Sequence, residues 1–157
     1  MKRRYYIVLV YLVIILLVIV LNREKISSLI SDISYRKKLN KTYVSREFNI
    51  DIEDRSVNRK NHLFWGKDRE THKEKYIIFV YKKGNYVVYA DEGMSREEAF
   101  EIAEDKGISQ YMSFYINPSF SKNNDIKKYL YWLFTNDDEA EIYIKFDSGE
   151  IIYNTPD

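Results

Sequence analysis

The spacing of hydrophobic and polar positions changes along this 157-residue chain, and each change marks an element. From Tyr5 to Leu21, 17 consecutive residues carry no charge, Gly or Pro. At about 1.5 Å per residue a helix over them spans roughly 25 Å, slightly under the roughly 30 Å of a bilayer core. A run of Leu, Ile and Val this long is apolar on every helical face, unlike a core helix, which keeps a polar side. Tyr5 and Tyr6 suit the interfacial belt, and Lys2, Arg3, Arg4 and Arg23 can snorkel over the shortfall. Residues 23–40 then take a helical period, with Ile26, Leu29, Ile30 and Ile33 at i, i+3, i+4 and i+7. That helix is either a free stalk, lying on the membrane or paired with another copy, or a layer packed on the following sheet; packing on the sheet is the preferred arrangement.

Beyond residue 41 the period shortens to two. Phe48, Ile50 and Ile52 alternate with Asn49, Asp51 and Glu53, and Leu63-Phe64-Trp65 is a short apolar strand before a polar connection over 66–73. Tyr76 to Tyr81 and Tyr86 to Tyr89 flank Lys82-Lys83-Gly84-Asn85, a hairpin in which Gly84 can supply a positive φ. Ser95 with Glu98 forms a capping box for a helix buried through Ala99, Phe100, Ile102 and Ala103 and ended by Gly107. Strands follow at 111–116, 129–134, 142–146 and 151–153, the last two forming a hairpin around Asp147-Ser148-Gly149-Glu150.

The order of elements repeats. Each set is a helix (23–40, then 96–106), an alternating strand, a Trp-bearing strand (Trp65, then Trp132) and a Gly-turned hairpin. The expected fold class is α+β: an N-terminal transmembrane helix followed by two units, each a helix packed on an antiparallel sheet. The expected divisions are 1–22 for a cytoplasmic stub and anchor, 23–92 for the first unit and 93–157 for the second.

Composition refines this picture. Asn22-Arg23-Glu24-Lys25 offers no small-x-small cleavage site and the chain has no Cys for lipidation, so a retained signal-anchor is expected. Lys2, Arg3 and Arg4 abut the apolar run, which favours a cytoplasmic N-terminus and an extracytoplasmic C-terminal domain in the cell membrane, although six basic groups follow within 20 residues. Residues 1–60 hold 13 Lys+Arg against 6 Asp+Glu, and residues 61–157 hold 12 against 18. An acidic distal part is a poor nucleic-acid binder, while the basic part suits anionic lipid head groups.

Little catalytic chemistry is spelled out. His62 and His72 sit ten residues apart with no third ligand in view, and exposed loop positions are expected. Ser119-Phe120-Ser121-Lys122 matches S-x-x-K without its companion motifs, and Asp137-Asp138-Glu139 lacks the spacing of a calcium loop. No catalytic residue, cofactor or metal ligand is assigned. Trp65, Tyr129, Tyr131 and Trp132 are candidate partner contacts lining a peptide or glycan groove, set against core packing and cross-strand pairing.

Glu98 to Ala103 in the helix, Tyr131-Trp132-Leu133-Phe134 in the middle strand and Ile142 to Ile152 at the end resemble a PepSY-type domain. An anchor followed by two such units resembles the Gram-positive cell-wall elongation regulator family. The resemblance implies a non-enzymatic role, binding a class B penicillin-binding protein that cross-links lateral wall. Two alternatives stand beside it: a PepSY-type protease inhibitor or chaperone module, and a membrane-bound immunity protein against a secreted toxin.

Overall fold

The computed structural model describes the backbone of residues 2–154 and the side chains of residues 11–152. The chain divides into two compact units between Asn40 and Lys41.

The first unit is helical. α1 (Lys2–Leu21) and α2 (Arg23–Lys38) join at Asn22, where helical hydrogen bonding continues: Asn22 N donates to Val18 O at 3.1 Å and Ile26 N to Asn22 O at 2.9 Å. Every side chain from Tyr11 to Leu21 is exposed, on all sides of the helix. Among the described residues no helix is long and apolar enough to cross a membrane. The apolar run expected over 5–21 falls partly on residues 5–10, whose side chains lie outside the described set. α2 forms where the 3.6-residue period placed it, yet none of its residues is buried. Within the second unit, α3 (Lys41–Glu47) packs on the first strand of the sheet and buries Val44.

In the second unit, two four-stranded antiparallel meanders share one core. β1 (Ile50–Asn58), β2 (Asn61–Asp68), β3 (Glu74–Val80) and β4 (Gly84–Tyr89) form the first, in that order. β5 (Tyr111–Ile116), β6 (Leu130–Thr135), β7 (Glu141–Lys145) and β8 (Ile151–Asn154) form the second. The α+β class, with two helix-and-sheet sets, is as expected from the period changes. β2 runs three residues past Trp65, because Gly66 lets the β1 backbone at Asp51 and Ile52 pass over it with no room for a Cβ. The β3–β4 turn places Lys82 at φ 60° and Gly84 at φ 117°, the left-handed conformation anticipated for the glycine.

β3 is buried on both faces. Leu63, Tyr76, Ile78, Val80 and Val88 face the second sheet's Phe114, Trp132, Phe134, Ile142 and Ile144, with Ala99 and Ala103 of α4 (Arg96–Asp105) in the same cluster. On the opposite face Phe79 meets Phe48 and Phe64 edge to face, at 5.9 and 5.8 Å between centroids. The capping box at the start of α4 is present: Ser95 Oγ accepts from Glu98 N at 3.2 Å, and Glu98 Oε2 accepts from Ser95 N at 2.9 Å.

Candidate functional site

With one face of the second sheet spent on the core, its other face decides what the unit shows to a partner. Directly paired residues of antiparallel strands share a face. The pairs Tyr115↔Tyr131, Ser113↔Leu133, Leu133↔Tyr143, Tyr143↔Ile152 and Tyr111↔Thr135 therefore place Tyr111, Tyr115, Tyr131, Leu133, Tyr143 and Ile152 together on the outer side. The Tyr115 ring sits 6.1 Å from Tyr131 and 5.3 Å from Tyr143, edge to face with each. Tyr111 and Ile152 remain 61% and 44% exposed.

Such a face combines large, rigid apolar area with hydroxyls at its rim. Tyr143 Oη donates to Glu141 Oε2 at 2.6 Å. Burial, reinforced by that hydrogen bond to a carboxylate, pushes the Tyr143 hydroxyl up to about 12, against a smaller opposing pull from the Arg59 guanidinium. It stays a neutral donor throughout the physiological range.

Of the four aromatics singled out by sequence, only Tyr131 belongs to this face, and it is largely covered by its neighbours. Trp132, one residue on, points the opposite way into the core, where its indole N–H donates to Met94 O at 2.8 Å. Trp65 is half-buried at the core margin, with the Arg96 guanidinium 4.9 Å from its ring centre. Tyr129 packs against Phe120 at 5.6 Å and its hydroxyl accepts from Asn124 Nδ2 at 2.8 Å. The four do not converge. Tyr111, Tyr115 and Tyr143 were missed, although alternation along β5 and β7 could have placed them opposite Phe114 and Ile144.

His62 lies half-buried in β2 rather than in a loop; burial, aided by the Arg55 charge, lowers its pKa. His72 occupies an exposed turn at φ 58°. Among the described residues, no group of three or more His, Asp or Glu is placed to hold a metal. Asp137 caps the contact with Gln110, which donates to it at 2.6 Å, and Phe120 of the S-x-x-K match is buried against Tyr86. A recess of about 560 Å³ between α3 and β1 is lined by Arg69 and Ser45, which are already bonded to Asp51 and Ile50 O respectively.

No known protein-family pattern matches the chain, and no curated protein matches it. Among solved structures, the YpmB protein from Bacillus subtilis is similar over 71% of this chain and 91% of its own, at 18% identity and a TM-score of 0.46.

Proposed function

We propose that this protein is a membrane-anchored, non-enzymatic interaction module that binds a class B penicillin-binding protein and thereby regulates cell-wall synthesis. The apolar run 5–21 holds it in the cell membrane, with its N-terminus cytoplasmic and the sheet unit extracytoplasmic. The reading rests on one observation: the second sheet turns a tyrosine-rich face outward while its other face fills the core. Tyrosine anchors interfaces well because it brings large contact area at little conformational cost. The sequence resemblance to the cell-wall elongation regulator family supplies the identity of the partner.

The test is photo-cross-linking in intact cells with a photoreactive phenylalanine in place of Tyr111. Recovery of a class B penicillin-binding protein supports the reading. Recovery of a secreted peptidase or a toxin instead, or labelling confined to chaperones, overturns it. Reporter fusions at both ends check the orientation independently; a cytoplasmic C-terminus removes the proposed partner from reach.

A further inference from the structure

α2 carries an apolar stripe with nothing of its own unit over it. Ile26, Leu29, Ile30 and Ile33 are between 37% and 62% exposed. Written as heptads, Ile26 and Ile33 fall at a and Leu29 at d, the combination of β-branched a and Leu d that favours parallel two-stranded coils. Counted back across Asn22, where the backbone leaves helical values at φ −106° and ψ 14°, the same spacing puts Ile19 at a and Ile15 and Asn22 at d. Asp32 at g stands five residues before Lys37 at e, the pairing by which one parallel strand reaches its partner.

We propose that α2 pairs in parallel with α2 of a second copy of this chain, through a seam of Ile26, Leu29 and Ile33 flanked by Asp32–Lys37 contacts between strands. Two heptads are short for a coil in free solution, and the continuation into α1 supplies the missing length and local concentration. A helix lying on a lipid surface would carry basic residues along its polar side. Here Ser27, Ser28, Ser31 and Ser34 occupy that side, and the basic residues gather at the ends, Arg23 and Lys25 and then Arg36 to Lys38. The Asn22 amide, at d in the same register, donates to Val18 O within its own helix.

The chain has no Cys, so single substitutions report cleanly. Ile26→Cys, Leu29→Cys, Ile33→Cys, Ser27→Cys and Ser31→Cys are introduced separately into the full chain and oxidised in the cell fraction that holds it. The expected yield of disulfide-linked dimer at the three seam positions is at least about threefold that at the two serines, following the heptad. Asp32→Lys lowers the Ile33→Cys yield, and adding Lys37→Glu restores it. Equal yields at all five positions overturn the proposal. So does burial of the three seam thiols from a water-soluble maleimide with no dimer, the outcome expected of a lipid-covered face.

Discussion

Trp132 and Tyr76 meet edge to face across the centre of the second unit, their ring centres 5.2 Å apart. One residue belongs to each sheet, so the contact fuses what the sequence presents as two repeats into one core. Phe146 completes the cluster, 6.2 Å from both rings. Trp132→Ala is expected to cost about 3–5 kcal/mol, the usual range for truncating a buried aromatic. Because the chain has two tryptophans, the variant leaves Trp65 as sole reporter on the first sheet. Denaturant unfolding followed by Trp65 fluorescence should show its midpoint falling too. An unmoved Trp65 transition would mean that the sheets unfold separately.

A second expectation concerns the buried ion pair beneath β3. Lys75 Nζ donates to Asp68 Oδ2 and to Phe48 O, both at 2.7 Å, with side chains only 9% and 7% exposed. Asp68 also accepts from the backbone N–H groups of Thr71 and Glu70 and from Tyr89 Oη. The Lys75 hydrogen bond first, then these backbone donors, hold the Asp68 carboxyl well below the usual carboxylate range. A depressed folded pKa contributes stability above the unfolded value of about 3.9, lost as pH falls through the folded one. Asp68→Asn should flatten the acid limb of a stability-against-pH curve and destabilise at neutral pH, by leaving Lys75 charged and unpaired. Asp68→Met with Lys75→Met should recover much of that loss.

Glu74 behaves in the opposite sense. Burial, together with the nearby Glu97 carboxylate, raises its pKa, and its Oε1 is buried without a hydrogen-bond partner. A raised folded pKa favours folding below the unfolded carboxylate value of about 4.3, and this contribution fades as pH climbs through the folded one. Glu74→Gln removes the unfavourable charge. It should raise the melting temperature at pH 7 and give no gain at pH 4, measured by scanning calorimetry at both values. A loss of stability at pH 7 would show that the carboxylate is needed there.

These sites also show what the sequence could reveal. Period-two alternation located the strands of both sheets, and the Ser95–Glu98 spacing located α4, because those signals are local. α3 escaped because Lys41-Thr42-Tyr43-Val44-Ser45-Arg46-Glu47 is short and carries β-branched residues; packing of Val44 carries it instead. The extension of β2 through Asp68 escaped for a related reason, since Gly66 and the Asp68–Lys75 pair matter only once β1 and β3 flank them. For the candidate face, alternation tells that Tyr131 and Trp132 oppose one another, but which side meets the other sheet is set by long-range packing.

The last expectation separates interface from scaffold on the tyrosine face. Tyr111 and Ile152 are exposed at its border, so Tyr111→Ala with Ile152→Ala should leave stability nearly unchanged, each within about 0.5 kcal/mol. If the face carries partner contacts, the pair of changes should weaken partner capture by at least about tenfold, or about 1.4 kcal/mol, as truncation at an interface does. Val87 on β4 of the first sheet is comparably exposed at 42% and supplies the control. Val87→Ala should leave capture intact. The ratio of captured partner across the three chains, at matched membrane abundance, is the measurement. Equal capture by all three would move the contact surface away from β5–β8, because the double variant removes the two most exposed large side chains of that face.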